Sequence, residues 1–171
     1  SGPEISVFDD IKLKTPNCSG RMDNLRAAIL RPQLKNLEKK CKEWNERYET
    51  IQLELKGING LTLIKRDPKE HFVASSFQFL LPGLKSKKIQ QIISGCAKRG
   101  VELKWFGAHE PSGFTSRYSS WKYAPKQTLK NTEIILDGLL DMRLPLTFST
   151  NDYKIIANII KTEVEHVISE L

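Results

Sequence analysis

Gly20-Arg21-Met22-Asp23-Asn24-Leu25-Arg26-Ala27-Ala28-Ile29-Leu30-Arg31-Pro32-Gln33-Leu34 is the stretch on which the reading of the whole chain turns. It joins a polar turn, Asn17 to Arg21, to a long amphipathic helix. The apolar positions Leu30, Leu34, Leu37, Cys41, Trp44, Tyr48, Ile51 and Leu55 recur at steps of four and three, the spacing of a seam along one side of a helix. Pro32 lacks an N–H and its ring crowds the preceding turn, so a kink or a fresh start is expected near Arg31. Gly57 and Gly60 end the helix. Such a seam packs on its own domain or on a neighbouring helix; a coiled-coil dimer is the alternative.

Beyond the helix, Leu61 to Ile64 and Phe72 to Leu81 read as strands, the second closed by Pro82-Gly83. Ser86 then caps a helix that sets Ile89, Ile92, Ile93 and Cys96 on one face, and Gly100 stops it. Val101 to Phe106 is the next strand. Gly107 to Lys130 is a long loop whose aromatics (Phe114, Tyr118, Trp121, Tyr123) argue against disorder. A short helix near Thr132 to Leu139 and an extended piece at Met142 to Leu146 follow. The last helix opens at Ser149 with Asp152 at capping-box spacing and buries Ile156, Ile160, Val164, Val167 and Leu171. The alternation predicts an α/β or α+β layer, a long N-terminal helix plus a small sheet covered by helices. Residues 1–16 read as an irregular lead-in with a short extended segment at Ile5 to Phe8, and Ser1-Gly2-Pro3 as a tag remnant.

At 171 residues with 39% hydrophobic and 27% charged residues, the chain has the make-up of one globular domain with a real core. No apolar run approaches a membrane span, and no signal-peptide pattern is present. Three cysteines, Cys18, Cys41 and Cys96, are far apart and form no C-x-x-C. A disulfide framework or zinc site is not expected, and a reducing cytoplasm is the natural compartment. Cys41 and Cys96 fall on apolar helix faces as core filler. The net charge of +7 is spread over several segments. It reads as a solvated surface, with no RNP, zinc-finger or KH-like pattern to support nucleic-acid binding.

The residues offer little self-contained catalysis. His71, His109 and His166 are scattered at no metal spacing, and no nucleophile elbow, P-loop or dinucleotide fingerprint appears. Two regions suit a shared site. The turn Asn17-Cys18-Ser19-Gly20-Arg21 precedes a helix N-terminus, where backbone N–H groups and the dipole favour an anion such as phosphate; Arg21 adds a forked donor. The alternative is an ordinary cap with a solvated arginine. In the loop region, Lys104, Trp105, His109, Arg117 and Trp121 mix cations with flat aromatics, a combination that suits a sugar or an acidic ligand. The alternative there is a surface loop pinned by its aromatics.

The pattern Arg21-Met22-x-x-Leu25-x-Ala27-Ala28-Ile29-Leu30-x-x-Gln33-Leu34-x-x-Leu37 resembles the entry into the small domain of the DegT-type sugar aminotransferases. Phe77-Gln78-Phe79, Arg99-Gly100-Val101-Glu102, His109 and Arg143-Leu144-Pro145-Leu146 with the Ser149–Asp152 cap resemble later family segments in the right order. The resemblance covers residues 16 to 171. It implies the C-terminal small domain (17–171) of a fold-type-I, cytoplasmic, homodimeric enzyme using pyridoxal 5′-phosphate (PLP). The enzyme moves an amino group, typically from glutamate, onto a keto sugar. The lysine that forms the Schiff base and the acid on the pyridine nitrogen would belong to a large domain absent from this chain. No catalytic residue is therefore expected here, and the chain alone is expected to be inactive.

The resemblance also places the turn before the long helix near the partner's PLP phosphate, which makes Asn17, Ser19 and Arg21 cofactor-binding candidates. Ser19 stands where the family usually has asparagine. Glu102 to Gly107, Gly113 to Tyr118 and Asp141 to Phe148 resemble the branch that makes the 8-amino form of the acidic sugar Kdo, which would give Lys104 and Arg117 a carboxylate to bind. A stand-alone basic binding module and a helical dimerisation scaffold are the other two readings.

Overall fold

The computed structural model describes residues 11, 14, 20, 22–110 and 118–170, with the backbone alone at Ser120. Five helices and a four-stranded sheet are described. Helix α1 (Asn24–Leu34) opens at Asp23, whose carboxylate accepts from the Arg26 amide at 2.8 Å. Pro32 does not break the helix at Arg31. The helix runs on to Leu34, turns at Lys35-Asn36, and restarts as α2 (Leu37–Glu54). The last turn of α1 is steadied by the Gln33 side-chain amide, which donates to the Ile29 carbonyl at 3.3 Å.

This break divides the apolar seam. On α2 and just beyond it, Tyr48, Ile51 and Leu55 are buried and Trp44 is half-buried. On α1 no residue is buried; Leu30 and Leu34 are exposed, as is Leu37 at the start of α2. Periodicity alone could not reveal this, because a 3.6-residue pattern reports which face is apolar and not whether anything covers it.

The sheet comprises β1 (Thr62–Leu63), β2 (Ser76–Leu80), β3 (Lys104–Trp105) and β4 (Leu139–Arg143), ordered β1-β2-β4-β3 and antiparallel throughout. The register pairs Phe77 with Met142, and Phe79 and Trp105 with Leu140. Since side chains alternate along a strand, these five share one face, and all are buried. Helix α5 (Thr150–Ser169) supplies Tyr153, Ala157, Ile160 and Val164 to the core and packs against both α2 and α3 (Ser86–Lys98). The strands are shorter than the apolar runs that encode them: Val101 and Leu103 are buried, yet only Lys104 and Trp105 join the ladder.

The helix ends follow local chemistry. Ser149 caps α5, and Asp152 returns the contact to the Ser149 amide at 2.7 Å, a capping box with aspartate in place of glutamate. Ser86 is not the cap of α3; Lys85 holds that position without a side-chain bond, and Ser86 is the first helical residue. Gly100 ends α3 at φ 83°, with the Val101 amide on the Cys96 carbonyl and the Gly100 amide on Ala97, the paired bonds of a Schellman motif. Helix α4 (Lys130–Gly138) leads straight into β4. The expected strand at Ile5 to Phe8 and the burial of Leu171 lie outside the described residues.

Candidate functional site

Asn17, Ser19, Arg21 and Arg117 lie outside the described residues. What can be seen of the first region is the end of α1. There Asp23 bonds one helix-end amide with its own carboxylate and pairs with Arg26 at 3.3 Å. This helix end thus carries an anion of its own. The described helix terminus therefore offers an anion little beyond its remaining first-turn amides.

The second region is partly described. Trp105 is buried, and its indole N–H donates to the Asp137 carbonyl at 2.8 Å. The ring is a core element that locks β3 against the end of α4. Lys104 is half-buried and stands across from Asp141 in the ladder, on the face opposite Trp105. His109 is exposed. Trp121 is 38% exposed and stacks on Tyr123, with ring centroids 5.8 Å apart and planes 12° from parallel.

The loop carrying that aromatic pair is fastened to α4 by Tyr118, whose hydroxyl donates to Glu133 at 2.8 Å and accepts from the Leu129 amide at 3.2 Å. Between these anchors a cleft of about 430 Å³ opens, lined by Tyr118, Trp121, Pro125, Lys126 and Gln127 among others. A flat ring beside amide and ammonium donors is what a hydroxylated ring would use. The structure thus brings Trp121 together with Tyr123, Lys126 and Gln127, while Lys104 and Trp105 belong to the sheet.

A further group went unremarked in the sequence. The segment Leu144 to Phe148, which continues β4 into α5, is held by side chains through its carbonyls. Trp44 Nε1 donates to Leu144 at 2.9 Å and Tyr153 Oη to Pro145 at 2.8 Å. Arg47 donates to Leu146 at 3.2 Å and to Phe148 at 2.8 Å. Pro145 and helix entry leave this segment with few ladder partners, and three side-chain donors replace them, two from α2 and one from α5. The signal for Asp141 was available: a lone charge inside the apolar run Leu139-Leu140-Asp141-Met142.

Burial pushes the Tyr153 phenol up to about 12, against the pull of nearby Arg47. Burial, with Glu163 adding to it, likewise drives the Cys96 thiol up to about 12. Both are neutral packing groups. Among the described residues no group of three or more His, Cys, Asp or Glu is placed to hold a metal, and no helix is long and apolar enough to cross a membrane.

A long helix leading into a small antiparallel sheet covered by helices is a mixed α/β arrangement found as a part of fold-type-I aminotransferase structures. The chain belongs to the DegT/DnrJ/EryC1/StrS aminotransferase family, whose sequence pattern matches residues 6–161. No curated protein sequence matches it.

Among solved structures it is similar to 3-amino-5-hydroxybenzoic acid synthase, with 16% identity and a TM-score of 0.67 over 94% of this chain and 46% of that one. It is also similar to the aminotransferase TlmJ from Streptoalloteichus hindustanus, with 15% identity and a TM-score of 0.70 over 89% and 40%. PseC of Helicobacter pylori, an aminotransferase involved in the biosynthesis of pseudoaminic acid, is 14% identical with a TM-score of 0.67 over 95% and 47%. At these identities the likeness is one of fold. The chain spans about half the length of the structures it matches.

Proposed function

We propose that residues 17–171 form the C-terminal small domain of a PLP-dependent sugar aminotransferase that works as a homodimer in the cytoplasm. The observation that carries this reading is the family match over residues 6–161. In this reading a preceding large domain holds PLP and supplies the lysine. PLP serves as the electron sink for moving an amino group from a donor, glutamate by expectation, to a keto sugar.

The 17–21 turn, with Asn17, Ser19 and Arg21, faces the cofactor phosphate. Lys104, His109, Arg117 and Trp121 face the substrate, with the cleft around Trp121 and Tyr123 as the surface for the sugar ring. Trp105 acts on this surface only through the position it gives β3. An acidic keto sugar of the 8-oxo-Kdo type is the substrate we favour, because Lys104 and Arg117 would then bind its carboxylate. The exposed apolar side of α1 is consistent with a chain that continues into a further domain.

The test uses the full-length polypeptide with PLP, L-glutamate and a panel of keto sugars, neutral and acidic, with amine formation followed by mass. Glutamate-dependent amination that prefers an acidic keto sugar is the expected result. Amination of neutral keto sugars alone removes the acidic-sugar assignment, and no amination of any keto sugar removes the sugar aminotransferase reading. Replacing Arg21 with Met should speed PLP loss on dialysis; unchanged retention in R21M and S19A together would rule out the phosphate role of the turn.

A further inference from the structure

The cleft beside Trp121 has two walls drawn from one loop. Tyr118, Ser119 and Trp121 line one wall, and Ala124 to Thr128 line the other. At one end the walls are joined by the chain itself, through Lys122 and Tyr123. At the other end they meet through a side chain. The Tyr118 hydroxyl accepts from the Leu129 amide at 3.2 Å and donates to the Glu133 carboxylate at 2.8 Å. Residues 118–129 are therefore a loop of Ω type, with its ends tied by its own first residue.

Glu133 lies outside the described lining of the cleft, yet it fixes the hydroxyl that ties the loop. A phenol has one proton to give. Aimed at the Glu133 carboxylate, that proton leaves a lone pair of the same oxygen turned toward the Leu129 amide, so the second bond follows from the first. A bond to an ionised acceptor is also stronger than one between neutral groups.

Glu133 takes its own position from the sheet. Helix α4 runs directly into β4, and the Asp137 carbonyl, one turn beyond Glu133, takes the Trp105 indole N–H at 2.8 Å. The helix buries little of its own apolar surface. Ile134 is 72% exposed, and among its described residues only Gly138 is buried. The connection from helix to loop thus rests on bonds more than on packing. Trp121 stands at the end of this chain of contacts. Its amide donates to the Tyr118 carbonyl at 3.1 Å, closing the turn Tyr118–Ser120. The residue that Glu133 fixes therefore fixes the turn that aims the Trp121 ring, and a stacking surface serves a bound ring only at a set height and tilt.

We propose that Glu133 is a positioning residue for the keto-sugar substrate. Through the Tyr118 hydroxyl it holds the two walls of the cleft together and sets the Trp121 ring against the sugar. The proposal rests on the sugar aminotransferase reading and adds to it a residue that touches neither cofactor nor sugar.

The test has two arms. The first uses the full-length polypeptide with PLP, L-glutamate and 8-oxo-Kdo, or the neutral keto sugar that takes its place should the panel above so decide. Glu133→Ala should raise KM for the sugar about tenfold, the loss expected for a hydrogen bond to a charged group, while kcat/KM for glutamate stays at the wild-type value. Glu133→Gln keeps an acceptor oxygen for the hydroxyl and should stay within about threefold of wild type. Tyr118→Phe with Glu133→Ala should cost little more than Tyr118→Phe alone, since both remove one link. The second arm needs no sugar. In the 171-residue chain Trp121 is the most exposed of the three tryptophans, so acrylamide quenching of fluorescence reads its setting. Glu133→Ala should raise the quenching constant and Glu133→Gln should not.

Glu133→Gln behaving like Glu133→Ala overturns the proposal, because the charge at the start of α4 would then matter and not the bond to Tyr118. Equal losses for sugar and glutamate, the mark of a damaged fold, overturn it too, as do additive losses in the double variant. If no keto sugar is aminated, it is the aminotransferase reading that falls; unchanged quenching in Glu133→Ala overturns the positioning role itself.

Discussion

Tyr153→Phe isolates one of the three donors that hold the Leu144–Phe148 segment. The side chain is fully buried, and its hydroxyl donates to the Pro145 carbonyl at 2.8 Å. Removing the hydroxyl leaves the ring's packing on Phe148, at 6.1 Å between centroids, largely unchanged. The loss at neutral pH is therefore that of one hydrogen bond to a buried acceptor, about 1–2 kcal/mol. For a chain of this size that is a fall in Tm of about 2–8 °C.

The same group makes an alkaline prediction. Burial raises the phenol from 10.0 to about 12 in the folded protein. Between those values the unfolded chain has released the proton and the folded one has not, so stability falls as pH rises through this window. By pH 11 the loss is about 1.4 kcal/mol. The Phe variant lacks this loss, and every other ionisable group is common to both proteins. The stability gap between wild type and variant, measured by urea unfolding, should accordingly be full at pH 8 and nearly closed at pH 11. A gap of constant width would refute the assignment of a buried, bonded, neutral phenol.

Ser149→Ala removes the side-chain acceptor of the Asp152 amide at 3.2 Å and breaks the capping box; a cost of about 0.5–2 kcal/mol in urea unfolding is expected. The Asp152 carboxyl is held below its ordinary value chiefly by the Ser149 hydroxyl, so wild type should lose part of its advantage over S149A as pH falls below about 4. Cys96 is buried and its thiol is raised to about 12, whereas Cys41 is half-buried. In the native chain at pH 8, Cys96 should resist alkylation until denaturant is added, and mass mapping that found it modified as fast as Cys41 would contradict its placement. At Gly138 an added Cβ would meet the Leu81 carbonyl oxygen at 2.9 Å, backbone that cannot swing aside. Gly138→Ala should lower Tm by several degrees, with about 1–3 kcal/mol lost to strain.

Much of the fold was legible because local and global signals agree. The α5 cap, the Gly100 stop and the Phe77/Phe79 strand each need only a few adjacent residues to specify them. Trp105 shows where that legibility ends. An aromatic beside a lysine suggests a ligand-facing group, but the indole N–H is taken by Asp137, thirty-two residues away, and no spacing rule carries that pairing. Pro32 shows the same limit on a local scale: its missing donor predicts a break near Arg31, but the helix continues to Leu34 and breaks at Lys35-Asn36. Arg47 carries no local signal in the sequence; its role appears only once Leu146 and Phe148, about a hundred residues on, lie beside it. The placing of Lys104 across from Asp141 rests on strand register, which no single segment encodes.

The central claim, that this chain is the small domain of a PLP aminotransferase, is tested most directly on the native polypeptide captured from its source cell. Its absorbance is recorded before and after borohydride, and the reduced protein is mapped by mass. The account predicts a near-visible band that borohydride abolishes, with the cofactor fixed to a lysine outside these 171 residues. A native polypeptide with no such band after incubation with PLP, or a cofactor fixed to a lysine within this sequence, would contradict it.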